Sequence, residues 1–301
     1  MAVQTVKAVI NGQTVNLTYN EGTGFWESQA TAPATSSYNE DGHYYGVEVT
    51  ATDDAGNSTT VSATSGDFQE DLRLVVKEKV APVITVTSPT ADAFIINNKP
   101  TIQWSITDDD SGVDPDTIKI NINGTNVTEG ITKTPAGKGY TCSYTPTTAI
   151  ADGECTILFD ASDHDGNAAT QKSVVFTVDT VAPTLNVTAP TEGLKTNKNT
   201  VTVTGTTNDV TSSPVTVTVK LNSGAAEEVT VQSNGSFSKQ LTLSSGANTI
   251  VVTATDSAGK STSVTRHVTL DTGAPVFTSI ELVPNPVDAG ATYIIRVKVT
   301  D

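Results

Sequence analysis

The sequence predicts an all-β protein, and three observations carry that prediction. Val and Thr alternate over long runs, such as 201–204 and 215–219, with the period of two that a half-buried strand shows. Apolar residues at helical spacing are nearly absent, and the best exception, 69–78, is short. Only 36% of the 301 residues are hydrophobic and 5% aromatic, which excludes a large aromatic core. The length predicts two or three domains.

The charge balance restricts the partners of the chain. There are 33 acidic and 17 basic residues, which gives a formal net charge of −16. Such a surface repels phosphate backbones and anionic lipids, so we expect no nucleic-acid partner. No segment approaches the roughly 20 apolar residues of a spanning helix, so we expect no membrane insertion. Residues 1–5 show neither region of a signal peptide, which predicts export by another route or a leader missing from this chain.

Three landmarks recur along the chain at intervals of about a hundred residues. The first is an Ala-Pro dipeptide that opens a short alternating strand, and its prolines are Pro82, Pro183 and Pro275. The second is an aspartate-containing turn whose glycine supplies the positive φ of a hairpin, at 52–58, 162–168 and 255–261. The third is an aromatic residue that opens the preceding strand, namely Phe25, Tyr140 and Phe237.

Repeats of this length, with about seven short strands each, are typical of immunoglobulin-like β-sandwiches. The sequence therefore predicts such sandwiches in tandem. We expect an incomplete domain at 1–79 that lacks its first two strands, complete domains at 80–179 and 180–271, and a two-stranded C-terminal donor segment at 272–301. In the second repeat, Trp104 shares the inward parity of Ile102 and Ile106 and is predicted to lie in the core.

The Ala-Pro-x-x-x-Val-Thr-x-Pro opening and the Thr-Asp-x-Ala-Gly-Asn-Ser turn also carry a family resemblance. The chain resembles the bacterial Ig-like domains that occur as strings in surface adhesins and phage tail proteins. The resemblance covers nearly the whole chain and implies the sandwich fold. It implies little about activity, because such domains serve mostly as spacers.

The sequence contains no recognisable catalytic constellation. His43, His164 and His267 lie in three different repeats and cannot converge within one domain. Nucleophile-elbow, metalloprotease, P-loop and dinucleotide-binding spacings are all absent. We therefore expect no enzymatic activity. The two cysteines, Cys142 and Cys155, have inward parity in the second repeat. We favour two buried free thiols, with a disulfide as the alternative.

Aspartates cluster in two loops that share one end of the second repeat. Several carboxylates gathered there predict a calcium site, because calcium takes about six to eight oxygen ligands. The alternative is that these aspartates only cap turns by bonding their own backbone. We expect no other cofactor. The third repeat offers only Asp209 and Asp256. The candidate ligands in the second repeat are Asp108, Asp110, Asp163 and Asp165.

The first and last segments match complementary parts of the second repeat. Residues 5–12 match its third strand at 117–124, and residues 291–301 match its second strand. This predicts one Ig-like domain split between the chain ends, with the last strands of one copy completing the first domain of the next. The alternatives are a first domain that closes by itself with 71–78, or a chain cut through a repeat. The predicted polymer interface comprises Val6, Ala8, Ile10, Ile295, Val297 and Val299.

The sequence thus predicts a structural subunit of an extracellular or virion appendage, such as a phage tail or fibre, that forms a head-to-tail homopolymer. The alternative is an adhesin stalk or binding module of a bacterial surface protein that recognises a host or glycan ligand. Either role places the protein outside the cell or on a virion surface. A polysaccharide-binding module would need a strip of exposed aromatic residues, and Trp26 is the only candidate.

Overall fold

The computed structural model describes residues 2–301. Within that range it contains 25 β-strands, two short 3₁₀ helices and no α-helix. The chain forms two compact units, one of residues up to Ala93 with Asn97–Val178, the other of Phe94–Ile96 with Asp179–Asp301. None of the described residues belongs to a helix with the length and apolarity to cross a membrane.

The first repeat forms a single sheet of six strands. Its order is β3-β2-β1-β4-β5, and β6 also pairs with β4. Asn11 and Gly12 both have positive φ, which is the geometry of a tight Asn-Gly hairpin between the first two strands. The 3₁₀ helices span Ser37–Asn39 and Asp41–His43. The strands are β1 (Val3–Ile10), β2 (Gln13–Asn20), β3 (Phe25–Glu27), β4 (Tyr45–Asp53), β5 (Ser58–Ser62) and β6 (Arg73–Leu74).

The second repeat is a sandwich of two sheets. The strands are β7 (Val83–Ser88), β8 (Phe94–Ile95), β9 (Ile102–Thr107), β10 (Val113–Ile122), β11 (Thr125–Val127), β12 (Thr132–Ala136), β13 (Gly139–Tyr144), β14 (Gly153–Asp163) and β15 (Lys172–Val178). One sheet has the order β12-β13-β9-β7, and the other contains β11-β10-β14-β15. Trp104 is 1% exposed and meets Phe159 of the other sheet edge-on, with ring centroids 5.3 Å apart. The predicted core position of Trp104 is confirmed.

The third repeat is also a sandwich. Its sheets have the orders β16-β18-β21 and β17-β23-β22-β19-β20. A Cβ at Gly205 would lie 2.5 Å from the Phe237 ring and 2.4 Å from the Asn186 carbonyl, so the core admits only glycine there. The strands are β16 (Thr184–Ala189), β17 (Leu194–Thr196), β18 (Thr200–Asn208), β19 (Thr216–Leu221), β20 (Ala226–Val229), β21 (Ser236–Thr242), β22 (Gly246–Thr255) and β23 (Ser261–Leu270).

The last two strands, β24 (Val276–Val283) and β25 (Ile294–Thr300), form a two-stranded antiparallel sheet. We call this pair the hairpin. The all-β fold with tandem sandwiches is confirmed, while the segment boundaries stay predictions. Cys142 and Cys155 are buried and unbonded, as we favoured. Burial raises the pKa of the Cys142 thiol to about 11.

Candidate functional site

One apolar face of the first repeat has no second sheet over it among the described residues. The strand pairing places Ala8 opposite Val15 on one side and Val49 on the other. We call this surface the open face. Its residues are Val6, Ala8, Ile10, Val15, Leu17, Val47, Val49 and Ala51. All except Ala8 are partly exposed.

The second repeat shows what the open face lacks. Ala8 pairs with Val49 as Ile120 pairs with Phe159, so the two sheets have the same register. Ile120 and Phe159 are each 1% exposed because the second sheet covers them. The first-repeat sheet therefore has the register of the β10–β14 pair of the second repeat.

The self-closing alternative for the first repeat receives no support from β6. This strand pairs with β4 through Tyr45 and Leu74, in the plane of the sheet. Val76 accepts a hydrogen bond from the Ser37 amide at 2.9 Å, which ties the same segment to a loop. Residues 73–74 thus pair with the first residues of β4 and do not form a covering sheet.

An aromatic pair lies at the other edge of the open face. Tyr19 is directly opposite Trp26 in the β2–β3 ladder, and their ring centroids are 5.7 Å apart. The sequence singled out only Trp26. Tyr19 could have been found by extending the alternation of Val15 and Leu17 by one more step.

The hairpin has one apolar and one polar face. Its ladder pairs Ile295 with Leu282, Val297 with Ile280 and Val299 with Phe277. These six side chains form the apolar face, and all are exposed. On the polar face, Glu281 and Arg296 form an ion pair at 3.9 Å. Such a strand pair resembles one edge of a sandwich whose facing sheet is missing.

The acidic cluster of the second repeat has different members from the predicted set of ligands. Glu78, Asp108 and Asp163 each place a carboxylate oxygen within 4.8 Å of the others, and we call them the second-repeat cluster. Asp108 Oδ1 accepts the Gly112 amide at 2.7 Å, and Asp163 accepts two bonds from Asn167. These turn bonds explain how the loops hold the carboxylates in place.

Two buried polar atoms have no hydrogen-bond partner here, one in the second-repeat cluster and one beside it. They are Asp108 Oδ2 and Ser111 Oγ, and Asp108 is only 9% exposed. Burying a polar atom without a partner is costly, because nothing compensates for the lost contact with water. Sequence reasoning missed Glu78. Its signal was its place four residues before Pro82, which Asp179 shares before Pro183.

The other two predicted ligands bind the first repeat. Asp110 accepts hydrogen bonds from the Ser36 amide and the Asn39 side chain, each at 2.8 Å. Asp165 accepts the Glu78 amide at 2.9 Å. The structure therefore brings Asp108 and Asp163 together, and it uses Asp110 and Asp165 to join the first two repeats.

The third repeat contains an equivalent trio. Asp179, Asp209 and Asp256 place carboxylate oxygens within 4.8 Å of one another, and all three are buried. We call them the third-repeat cluster. Asp256 Oδ2 has no partner, and this residue is 6% exposed. Among the described residues, neither cluster forms an ion pair with Lys or Arg.

The histidines lie outside both clusters. His43 and His164 stack on opposite sides of Tyr38, with ring centroids 4.1 and 3.9 Å away. The two histidines thus contact the same tyrosine from different repeats, and the structure records no ring contact between them. His267 bonds Glu192 at 2.7 Å on the surface of the third repeat. A hydrogen bond from His267 lowers the pKa of Glu192.

Two family models match the sandwiches. Residues 84–180 match the bacterial Ig-like domain, and residues 183–272 match domain B of glucodextranase. The chain is a tandem of immunoglobulin-like domains. The tandem is 32% identical over 128 residues to bacillopeptidase F of Bacillus subtilis (strain 168), which is 42% of this chain and 8% of that protein. It thus spans less than a tenth of the curated relative it matches.

Solved structures similar to the tandem are also assemblies of small β domains. The fibronectin(III)-like modules of Clostridium thermocellum CbhA are 18% identical, with 62% of this chain and 94% of that chain covered and a TM-score of 0.37. An I-band fragment of titin is 13% identical, with 89% and 88% covered and a TM-score of 0.44.

Proposed function

We propose that the tandem Ig-like chain is a non-enzymatic structural subunit of an extracellular or virion appendage, such as a phage tail or fibre. It assembles head-to-tail, with the hairpin of one copy covering the open face of the next. The observation that supports this proposal is that one chain has an apolar sheet face without a facing sheet among the described residues and, elsewhere, a hairpin whose apolar face is exposed.

The second repeat supplies the template for this contact. The hairpin strands β24 and β25 correspond to β7 and β9, so Val297 takes the place of Trp104. Val49 takes the place of Phe159, because both sheets share one register. Trp104 and Phe159 are in contact in the second repeat. The proposal therefore places Val297 of one copy against Val49 of the next.

Burial of the apolar face of the hairpin would contribute favourably to the contact. Fully burying a Val, Leu, Ile or Phe side chain contributes about 1.5–3 kcal/mol. Six such side chains on the hairpin give on the order of 10 kcal/mol before the entropy cost of association. An isolated two-stranded hairpin is at best marginally stable, so docking also stabilises the hairpin itself.

The proposed contact is a packing of two sheets face to face. In the second repeat, the sheet that contains β7 and β9 faces the sheet that contains β10 and β14. The hairpin would face the sheet that contains β1 and β4 in the same way, so apolar side chains would carry the contact. The contact is heterologous, so it generates a filament unless the rotation closes a ring.

Disulfide trapping tests the contact at one residue pair. The double variant Val49→Cys with Val297→Cys should form ladders of linked chains under oxidation. The matched control, Val49→Cys with Arg296→Cys, places the second thiol on the polar face and should stay unlinked. The native thiols interfere little, because both are buried. Equal linking in both variants, or a parent chain that sediments as a monomer at every concentration, contradicts the proposal.

The adhesin alternative rests on the Tyr19–Trp26 pair. Aromatic pairs of this kind can pack against a sugar ring, and Tyr19 is exposed. However, the pair lies on the open face, where the docked hairpin would compete with a ligand. A glycan that binds the assembled filament as well as the monomer would favour the adhesin role.

We further propose that the two acidic clusters each hold a hard cation such as calcium. Three carboxylates within 4.8 Å of one another repel unless a positive charge joins them. The unpartnered atoms Asp108 Oδ2 and Asp256 Oδ2 support a ligand at both places. Isothermal titration of the metal-free chain with calcium should show binding that magnesium does not reproduce. No heat and no change in melting temperature would leave the aspartates as turn caps only.

A further inference from the structure

We infer that the second repeat carries a binding site for an uncharged sugar, in a cleft between the β10–β11 hairpin and the loop 145–152. We call this cleft the loop cleft. Strand β10 begins at Val113, which pairs with Asp163 of the second-repeat cluster, and ends at Ile122, which lines the cleft. The site therefore lies at the other end of the sandwich from that cluster. It is a binding function beyond the structural role proposed above.

The loop cleft has the size and the mixed polarity of a small-molecule site. Its volume is about 610 Å³. Pockets that bind small ligands span about 300–1,000 Å³ and combine apolar walls with a few polar groups. Here Ile122, Val127 and Ile150 supply apolar walls, and Asn126 and Thr148 supply polar groups.

The third repeat closes the corresponding end of its sandwich. The connection after β21 has three residues, 243–245, whereas the connection after β13 has eight, 145–152. Asn248 of the third repeat is 2% exposed. Its side-chain oxygen accepts the Asn222 side-chain amide at 3.1 Å and the Ser244 backbone amide at 3.0 Å. These two bonds join the short turn to the residue that follows β19.

The second repeat does not have this pair of bonds. Asn123 corresponds to Asn222, because each accepts a backbone amide of the long sixth strand at 2.8 Å. By the same alignment, Cys155 takes the place of Asn248. A thiol is only a weak donor and acceptor, so it cannot replace the amide that closes the third repeat. The longer loop then stands apart from the hairpin, and the cleft lies between them.

The loop is held in place from its other side, by the segment before β9. The Ile150 amide donates to the Asn98 carbonyl at 2.8 Å, and the Thr145 and Thr101 hydroxyls bond each other at 3.0 Å. Ile150 is 9% exposed, so the loop is also anchored by a buried side chain. A wall that is already ordered lowers the entropy cost of binding a ligand.

An aromatic ring, that of Tyr144, lies on the wall of the loop cleft. Tyr144 takes the place of Leu241, since they pair with the equivalent residues Ile102 and Val201. Leu241 is buried, whereas Tyr144 is partly exposed. The residue beside the ring is Gly130, where a Cβ would lie 3.6 Å from the ring. No side chain of that residue covers the ring, which leaves an aromatic surface for the C–H face of a sugar.

The chemistry of the lining selects an uncharged ligand rich in hydroxyl groups. Among the described residues that line the cleft, Glu129 is the only charged one. One carboxylate is too few for calcium, which takes about six to eight oxygens, and the net charge of −16 repels anions. A wholly apolar ligand would leave the amide and hydroxyl groups without partners. A sugar offers a ring face to Tyr144 and hydroxyl groups to Asn126 and Glu129.

Binding of the full chain to an array of neutral and acidic oligosaccharides tests the inference. Neutral oligosaccharides should bind and acidic ones should not. For the neutral oligosaccharide that binds most tightly, calorimetry should show a Kd raised about tenfold or more by Tyr144→Ala, whereas Tyr144→Phe keeps the ring and the affinity. Ala149→Gln fills the cleft from an exposed position and should weaken binding in the same way. Circular dichroism checks that Tyr144→Ala folds, and Ala149→Gln decides the question if it does not.

Tyr19→Ala, on the open face, is the matched control and should bind like the parent chain. Failure of every neutral oligosaccharide to bind, or binding of acidic ones alone, overturns the inference. So does full affinity in Ala149→Gln together with full affinity in Tyr144→Ala. Sedimentation of the Tyr144 and Ala149 variants should match the parent, because the loop cleft shares no residue with the open face or the hairpin. Loss of the sugar site therefore leaves head-to-tail assembly unchanged, and loss of assembly leaves the sugar site unchanged.

Discussion

The second repeat and the C-terminal hairpin use the same strand pattern with opposite outcomes. Ile102, Trp104 and Ile106 of β9 are at most 1% exposed. Their equivalents in β25, Ile295, Val297 and Val299, are 61%, 49% and 46% exposed. Alternation of apolar residues therefore specifies a strand and its inward face. Burial of that face requires a second sheet. In the second repeat, the same segment of chain forms that sheet.

The comparison also separates two sources of stability. In the second repeat, burial of apolar area contributes to the folding of one chain. In the proposed contact between the hairpin and the open face, the corresponding area would contribute only on association, so that stabilisation would depend on protein concentration. The predictions below test this difference, from the largest expected effect to the smallest.

Replacing Trp104 with Ala should destabilise the second repeat by about 3–5 kcal/mol, the usual cost of truncating a buried aromatic side chain. Chemical denaturation followed by circular dichroism measures the loss. The matched variant Trp26→Ala, on the open face, should cost far less in dilute protein. Equal losses for both variants would mean that the open face is already covered in the monomer.

Replacing Val297 with Asp should weaken assembly by about a hundredfold or more, because a charge would be buried against apolar side chains. The melting temperature of the dilute monomer should not change, since Val297 is exposed there. Sedimentation and calorimetry give the two readouts. Arg296→Gln, on the polar face of the hairpin, is the control and should assemble normally.

Replacing Asp256 with Asn should have opposite effects with and without calcium. In EGTA the third repeat should gain stability on the order of 1 kcal/mol, because one of three neighbouring negative charges is removed. In calcium it should lose the stabilisation that binding provides, about 2.7 kcal/mol when calcium is about a hundred times the Kd. Thermal melts in both buffers test the change of sign. The same sign in both would leave Asp256 a turn cap only.

Replacing Glu192 with Gln should give a small, pH-dependent loss in the third repeat. The hydrogen bond from His267 lowers the pKa of Glu192, so the folded state favours the carboxylate. That stabilisation is present above the unfolded pKa of Glu192 and disappears as pH falls through its folded pKa. Melting temperatures of parent and variant should differ slightly at neutral pH and converge in acid, below the folded pKa of Glu192. A difference that persists in acid would assign the effect to packing.

Sequence reasoning succeeded where a local pattern has one physical outcome. Strand parity placed Trp104 in the core, because side chains alternate strictly between the two faces of a sheet. The same parity placed Cys142 between the sheets. The Asn-Gly turn after β1 and its equivalent after β10 show positive φ at both residues, as tight hairpins require.

The acidic loops show what sequence reasoning could not predict, namely which carboxylates lie together. The four predicted ligands are all aspartates in two neighbouring loops, so the sequence could not show which of them share a site. They are Asp108, Asp110, Asp163 and Asp165. In the structure, Asp110 and Asp165 accept hydrogen bonds from the first repeat. Glu78, which precedes the second repeat in the chain, joins the second-repeat cluster instead. Such choices depend on how loops from distant parts of the chain approach one another, which local propensity does not encode.

By itself, the sequence determined the repeats, the strands, their inward faces and the likeness of the first and last segments to strands of the second repeat, because each follows from periodicity and turn chemistry along the chain. Only the tertiary structure decided which carboxylates meet, that His43 and His164 stack on Tyr38, and that β6 pairs with the start of β4. These contacts join residues far apart in sequence, so their geometry exists only after the sheets have formed.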